Sequence, residues 1–167
     1  MQEQLKRAGV ETLAVVNTTL DRARLYFKYR PARMPLAADP EASTHRLFGV
    51  PAFEVGEVSD WPRRVTSEEF GAVRVNPTGE LPAALHPMEA NDELNRRDGF
   101  QMTEVDQQIL AAHATQATGH FFIDREGIIR WSYIEASKGI ADLTTLPTEN
   151  EILAAAAALD LTRKETP

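Results

Sequence analysis

The sequence predicts an α/β protein whose mixed sheet is flanked by helices. Three observations support this fold class. A strand, a helix and a second strand follow one another over residues 11–38, an apolar hairpin lies at 120–134, and an alanine-rich helix follows the hairpin. Alternating strands and helices are typical of sheets that are covered on both faces. With 167 residues, 43% of them hydrophobic, the chain is long enough for a single domain, residues 1–167.

The first predicted unit is a βαβ unit. The apolar run at 11–16 has the composition of a buried strand, and Thr18 or Thr19 is placed to cap the next helix. Pro31 ends that helix, and a second strand follows at 34–38. Two strands joined by one helix are expected to run parallel.

A further helix is predicted from Pro40 to Phe48. Asp39 stands where a capping residue is expected, Pro40 occupies the first helical position, and Gly49 fits the residue just past the end.

Strands at 120–124 and 128–134 flank a turn in which Gly127 is expected to take the left-handed conformation. Thr148 and Glu151 have the spacing of a capping box, which predicts the start of the last helix. The side chains expected to face the core are, in the second strand, Ile129, Trp131 and Tyr133, and in the helix Ile152, Leu153, Ala156 and Leu159.

Residues 51–118 separate these two halves and contain several prolines, which indicates an insertion with short helices rather than a second domain. Its clearest helix runs from Thr103 to about Ala114. An insertion of this length is often functional or binds a partner. The aromatic side chains that could bind a partner, or fasten the insertion to the core, are Trp61, Phe70 and Phe100.

Four segments carry a resemblance to a known family. They are Leu13-Ala14-Val15-Val16-Asn17, Leu36-Ala37-Ala38-Asp39-Pro40-Glu41, Phe48-Gly49-Val50 and Phe121-Phe122-Ile123-Asp124-Arg125-Glu126-Gly127-Ile128-Ile129-Arg130. In this order they resemble the C-terminal part of the AhpC/TSA (redoxin) peroxiredoxins, which have a thioredoxin-like three-layer fold. The first segment resembles the family's strand after the active-site helix, and the second resembles its "L-x-x-D-P-E" step. The fourth segment resembles its "F-x-I-D-x-x-G-x-I-R" hairpin.

The resemblance implies an antioxidant thiol oxidoreductase that acts in cell redox homeostasis. The family attacks peroxide with a thiolate at the start of the first core helix, yet this chain contains no cysteine. It cannot form a sulfenic acid or a disulfide, so we expect no catalytic residue and no thiol peroxidase activity in this polypeptide alone. No cofactor is expected.

The resemblance also implies that the first core strand and the start of the active-site helix are missing. Loss of a central strand leaves two apolar edges. Either the flanking strands close up on one another, or the chain is an N-terminally truncated form. We favour the truncated form. The alternative is a non-catalytic thioredoxin-fold interaction module that uses the 51–118 insertion as its binding surface.

In a complete form, the resemblance places the turn before the hairpin beside the cysteine. The pocket-adjacent residues would be Thr118, Gly119 and His120. The family's arginine, or the thioredoxin cis-proline, has no counterpart here.

Other chemistry has weaker sequence support. His113 and His120 are seven residues apart without a supporting carboxylate, so no metal site is expected. His45 and His86 are interpreted as surface residues. The acidic group formed by Glu89, Asp92 and Glu93 could act as a carboxylate pair, but a solvated helix face is the simpler interpretation.

The charge balance restricts the partners. A formal net charge of −7 disfavours nucleic acid, because phosphate binding needs clustered Lys and Arg. No apolar run is long enough to cross a membrane, and residues 1–7 lack a secretory pattern. We therefore expect a cytoplasmic protein whose partner is a second copy or a protein that binds the insertion.

Overall fold

A computed structural model describes residues 1–55, 63–76, 79–113, 115–138, 140–143 and 145–162. The described chain is a mixed α/β protein, as the sequence predicts. Its strands are β1 (Ala14–Val16), β2 (Leu36–Ala38), β3 (Ala52–Val55), β4 (Arg63–Val65), β5 (Thr115–Gln116), β6 (Gly119–Ile123) and β7 (Ile129–Ile134). Its α-helices are α1 (Gln2–Arg7), α2 (Leu20–Tyr29), α3 (Ser43–Leu47), α4 (Ser67–Ala72), α5 (Pro87–Asp98), α6 (Glu104–His113) and α7 (Glu149–Thr162).

The described strands form three separate sheets. β1 pairs with β2 in parallel, with Ala14 opposite Leu36, so the predicted parallel pair is confirmed. β3 lies between β4 and β5, and β6 pairs with β7 as an antiparallel hairpin. Within the described residues β1 and β6 do not pair with each other, so these two strands have not closed up into one sheet.

The hairpin is covered on both faces. On one face Phe122 packs with Leu5 of α1 and with Ile152 and Ala156 of α7. On the other face the Phe121 ring lies 4.8 Å, centroid to centroid, from the ring of Phe48, which follows α3. Helices α1 and α7 therefore form a layer on one side of the hairpin, and the end of α3 lies on the other.

The predicted capping box of the last helix is confirmed. The backbone N–H of Thr148 donates to Glu151 Oε2 at 2.7 Å, and the N–H of Glu151 donates to Thr148 Oγ1 at 3.3 Å. Gly127 in the hairpin turn and Gly49 after α3 have φ angles of 82° and 70°, which only glycine adopts without strain. These local predictions succeed because each depends on residues a few positions apart.

Helix α3 begins later than predicted. Instead of starting at Pro40, it starts at Ser43, because Ala42 adopts a left-handed φ of 50° and separates the preceding turn from the helix. Asp39 still binds the helix start, since its carboxylate accepts from the Thr44 N–H at 2.6 Å and from the Ser43 hydroxyl at 2.9 Å. β1 is also shorter than its apolar run, beginning at Ala14.

The interpretation of residues 51–118 as an insertion of short helices was incomplete. These residues also contain the β4-β3-β5 sheet, and one of their helices, α5, is 12 residues long. Phe53 and Val65 from this sheet share a buried cluster with Ala117 and Ala136 at the base of the hairpin. The sequence pattern missed these strands because they are short and because their burial depends on the distant hairpin.

Arg22 of α2 and Arg30, the residue that follows this helix, bind the second half of the insertion. Arg22 Nε donates to Asp106 Oδ1 at 3.0 Å, and both side chains are largely buried. Arg30 binds Asp98, with Nη2 to Oδ1 at 3.1 Å. Phe100 packs edge-on against Tyr26 of α2 at a centroid distance of 5.3 Å. The expectation that Phe100 fastens the insertion to the core is confirmed.

Phe70 packs onto the cluster beneath the hairpin, as the fastening interpretation predicts, whereas Trp61 lies outside the described residues. In β7, Trp131 packs beside Phe122, but Ile129 is 46% exposed. A register shift after Phe122 pairs Ile123 with Ile129 and interrupts the expected alternation. None of the helices in the described part of the chain combines the length and the apolar character that crossing a membrane requires.

Candidate functional site

The turn before the hairpin is held by a buried carboxylate. The backbone N–H of Thr118 donates to Glu135 Oε2 at 2.8 Å, and the backbone N–H of Glu135 donates to the Thr118 carbonyl at 2.8 Å. Glu135 is 6% exposed and is the only polar or charged residue among the described ones that is buried. A buried charge is costly unless it is bound, so this carboxylate fixes the position of the turn.

Gly119 is the point of closest approach in the turn. A Cβ atom placed on Gly119 would lie 2.6 Å from Phe121 Cε2 and 2.7 Å from Val50 Cγ2. Only glycine fits between these side chains without displacing one of them. The buried neighbour Ala117 donates its N–H to the carbonyl of Pro51 at 2.9 Å, which ties the turn to the segment after α3.

His120 is half-buried next to Gly119. Its Nε2 atom is buried and has no hydrogen-bond partner within the described part of the chain. Burial lowers the pKa of His120 below its usual value, although the nearby Glu135 carboxylate acts in the opposite direction. The imidazole is therefore neutral at pH 7 and offers a ring nitrogen inside the protein.

Tyr133 completes this group of polar side chains. It lies opposite His120 in the hairpin register, with the two rings 6.0 Å apart, and its hydroxyl donates to the Thr145 carbonyl. Burial, together with the negative charges of Glu135 and Asp142, raises the pKa of Tyr133. The arrangement is a fixed turn with a neutral imidazole, a carboxylate and a phenol, which can accept and donate hydrogen bonds.

The structure brings together the three residues that the resemblance pointed to, Thr118, Gly119 and His120, because they are consecutive. The Thr118 side chain is exposed, and the other two residues are half-buried. Glu135 was missed by sequence reasoning. The available signal was an acidic residue directly after the apolar strand β7, in a position where a solvated side chain is the usual interpretation.

The other sequence candidates do not form a second site. His113 is half-buried at the end of α6, and in the described ranges there is no group of three or more His, Cys, Asp or Glu that could hold a metal ion. His45 and His86 are half-buried rather than surface residues, because His45 is turned inward and the His86 ring packs against Phe70 at 4.9 Å.

One member of the acidic group on α5, Glu93, is bound to arginines of the same helix. Glu93 accepts from Arg96 at 2.8 Å and from Arg97 at 2.7 Å, and these hydrogen bonds lower its pKa to about 2. Glu89 and Asp92 line the same open groove of about 550 Å³ above Pro82, Ala83 and Leu85. A carboxylate tied to two guanidiniums is a poor proton acceptor, which favours the interpretation as a solvated helix face.

Comparison of the chain with protein-family models, with curated proteins and with solved structures found no match. The class defined by the fold is thus the general one, a mixed α/β protein with a polar site at the base of a hairpin.

Proposed function

We propose that this chain is the C-terminal part of a peroxiredoxin-like thiol oxidoreductase with a thioredoxin-like three-layer fold, and that it is inactive alone because it lacks the cysteine. The observation that carries the proposal is the pair of separate two-stranded sheets, parallel β1–β2 and antiparallel β6–β7, in the chain order of that fold. The family places its central strand between these two pairs.

The edges of the two pairs support the proposal. Two residues of β1 bond toward β2. The Ala14 N–H donates to the Pro35 carbonyl at 2.9 Å, and the Val16 carbonyl accepts from the Asp39 N–H at 2.8 Å. Hydrogen bonding in a strand alternates between its two sides, so the backbone groups of Val15 point to the opposite edge, along which no described strand pairs. Leu13 just before this strand is 64% exposed.

The same alternation applies to β6. The Thr118 carbonyl accepts from the Glu135 N–H, and every second residue of an antiparallel strand bonds toward the same partner. The next residues of β6 that bond to β7 are therefore His120, opposite Tyr133, and Phe122, opposite Trp131. The backbone groups of Phe121 and Ile123 point away from β7. This edge carries no charged side chain of the kind that protects natural edge strands, and Ile123 is 48% exposed.

The helices support the same interpretation. α1 and α7 pack together on the Phe122 face through Leu5 and Ile152. In the proposed complete form, α1 is the end of the active-site helix, and the strand that precedes this helix fills the two edges. The turn from Ala117 to His120 would then lie beside the thiol.

Sequencing upstream of Met1 in the source genome tests the proposal. We expect an open frame that encodes a β-strand followed by T-x-x-C, and a longer protein when the native product is analysed by mass spectrometry. The extended protein should reduce hydrogen peroxide at the expense of a thiol, whereas its Cys→Ser variant should not. An in-frame stop codon just before Met1 would overturn the proposal.

A second candidate function is a non-catalytic interaction module that binds a partner through the 51–118 insertion. The observation that favours it is the attachment of the insertion through Arg22–Asp106, from α2, and Arg30–Asp98, from the residue after α2, which fixes the insertion's surface relative to that helix. The purified chain should then unfold cooperatively in urea and retain a partner on an affinity column. A molten or aggregating chain would count against this function.

A further inference from the structure

A groove in the insertion lies between α5 and the segment that precedes this helix. Its floor consists of Pro82, Ala83 and Leu85, and its wall is formed by side chains of α5. The volume of this α5 groove, about 550 Å³, lies within the range of about 300–1,000 Å³ that is usual for binding pockets. Pro82 and Ala83 are exposed, so apolar surface is accessible along the floor.

The shape of the α5 groove is fixed by contacts beneath its floor. The Asn76 side-chain amide binds Leu81 twice, since it accepts from the Leu81 N–H at 3.1 Å and donates to the Leu81 carbonyl at 2.9 Å. The backbones of Val75 and Leu85 exchange two hydrogen bonds, of 2.8 and 3.0 Å. Leu81 and Ala90 are buried in one cluster with Val75, which packs α5 onto the floor segment. A groove that is formed before binding lowers the entropy cost of binding a partner.

The charges along the wall of the α5 groove are not balanced. Both guanidiniums, those of Arg96 and Arg97, bind Glu93, at 2.8 and 2.7 Å. Glu89 and Asp92 are exposed, and no residue of the described part of the chain forms an ion pair with either of them. The groove therefore presents two carboxylates without a described counter-charge beside an apolar floor.

The spacing of Glu89 and Asp92 indicates the conformation of a partner that would bind them. Side chains three positions apart on a helix have Cβ atoms about 5–6 Å apart. In an extended chain, alternate residues point to the same side and repeat about every 7 Å. An extended segment with Lys or Arg at alternate positions can therefore place a cation near each carboxylate, while the residues between the cations face the opposite way.

We propose that the α5 groove binds an extended segment of a partner protein in which Lys or Arg alternates with apolar residues. Charge complementarity favours a basic segment over an acidic one, because the guanidiniums of the groove are already bound to Glu93, whereas Glu89 and Asp92 have no described counter-charge. The net charge of −7 also attracts a basic partner at long range. The proposal rests on the second candidate function, the interaction module, and names the part of the insertion that the module uses.

Peptide titration of the isotope-labelled full chain, followed by NMR, tests the proposal. The probe is acetyl-Leu-Arg-Leu-Arg-Leu-amide. Chemical shifts should change at backbone amides that line the groove, those of Ala83, Leu85 and Asp92. The amide of Glu104, at the start of α6, should not respond.

Two further peptides separate the charge from the apolar contact. Replacement of both arginines by glutamate brings like charges together, and replacement of the leucines by serine removes the apolar surface that the floor would bury. Each replacement should weaken binding by about tenfold or more. Equal binding of the three peptides, no binding of the arginine–leucine peptide, or shifts confined to amides outside the groove would overturn the proposal.

Charge reversal in the protein identifies the carboxylates. Glu89→Lys combined with Asp92→Lys should weaken binding of the arginine–leucine peptide by about tenfold or more and should reverse the preference in favour of the glutamate peptide. Glu89→Gln combined with Asp92→Asn covers the case in which the reversed variant does not fold, and it should weaken binding about threefold. Unchanged binding in these variants would contradict the proposal.

The matched control is Glu3→Lys combined with Glu104→Lys. It changes the net charge as much as the reversed variant does, at two exposed positions that do not line the groove. At about 0.15 M salt, where distant charges are screened, it should weaken binding less than about twofold. Equal weakening in the control and in the reversed variant would show that only the net charge matters, which would overturn the proposal.

The affinity column described above distinguishes failure of the groove from failure of the interaction module. A partner that the wild type and the Glu89→Lys, Asp92→Lys variant retain equally would overturn the groove as its binding site and leave the module function intact. A molten or aggregating chain, by contrast, contradicts the module function before any peptide is added.

Discussion

Glu135 and Thr118 are joined by two hydrogen bonds, one from each backbone N–H, so that a residue after β7 holds the turn before β6 from both sides. The carboxylate is buried while the Thr118 side chain is exposed. The pair closes the base of the hairpin next to His120.

Substitution of Glu135 should separate the role of the hydrogen bond from that of the charge. Glu135→Ala leaves the Thr118 N–H without its acceptor and should lower the free energy of unfolding by about 1–3 kcal/mol. Glu135→Gln keeps an acceptor oxygen and removes a buried charge, so it should cost about 1 kcal/mol or less. Urea denaturation measures both. Equal losses in the two variants would show that the acceptor is not the stabilising feature.

Gly119→Ala should destabilise the protein through crowding. The new methyl group would meet Phe121 and Val50 well inside contact distance, which should cost about 1–3 kcal/mol. Gly71→Ala is the matched control, because a Cβ at Gly71 in α4 has no neighbouring atom within 4 Å. That control should be neutral or stabilising by up to about 1 kcal/mol, since alanine favours helices. A harmless Gly119→Ala would contradict the close packing.

The Arg22–Asp106 pair should contribute measurably to stability. A double-mutant cycle with Arg22→Met and Asp106→Asn should give a coupling energy of about 0.5–3 kcal/mol, because both side chains are largely buried. The exposed pair Arg24–Asp21, with atoms 3.6 Å apart, serves as the control and should couple by less than about 0.5 kcal/mol. Equal coupling in the two pairs would remove the argument that α2 anchors the insertion.

The contribution of the Arg22–Asp106 pair to stability should be lost in acid. Burial acts to raise the pKa of Asp106, but the hydrogen bonds from Arg22 and Thr103 outweigh it and hold the pKa below the ordinary value. Since the folded pKa is the lower one, the stabilisation is present above about pH 4 and is lost as the pH falls through the folded pKa. Unfolding free energies of the wild type and of Asp106→Asn should therefore converge at low pH. A constant difference would contradict this linkage.

Hydrogen exchange should reveal the two strand edges, one on β1 and one on β6, that no strand of the described part of the chain pairs with. The amides of Val15 and Phe121, which point to the free edges, should exchange faster than those of Ala14 and Phe122 in the same strands. Comparison within one strand controls for fraying. In the upstream-extended protein proposed above, the Val15 and Phe121 amides should become protected. Equal protection of all four amides in this chain would mean that its edges are already covered.

Local sequence signals predicted part of the fold well. The capping box of Thr148 and Glu151 and the left-handed glycines Gly49 and Gly127 depend on a few adjacent residues, and each is confirmed. The delayed start of α3 was not predictable, because nothing in the sequence signals the left-handed Ala42. The candidate site was only half predicted. The 118–120 turn was singled out, but the burial of Glu135 was not.

The sequence by itself determined the order of the elements outside residues 51–118, the parallel β1–β2 pair and the absence of cysteine, since these depend on local patterns and on composition. Only the tertiary structure decided that Glu135 binds Thr118, that Gly119 has no room for a side chain, and that Arg22 binds Asp106. Each of these contacts joins residues that are distant in the chain or crowded by distant neighbours. Burial and electrostatics of this kind arise when elements pack, so no short stretch of sequence specifies them.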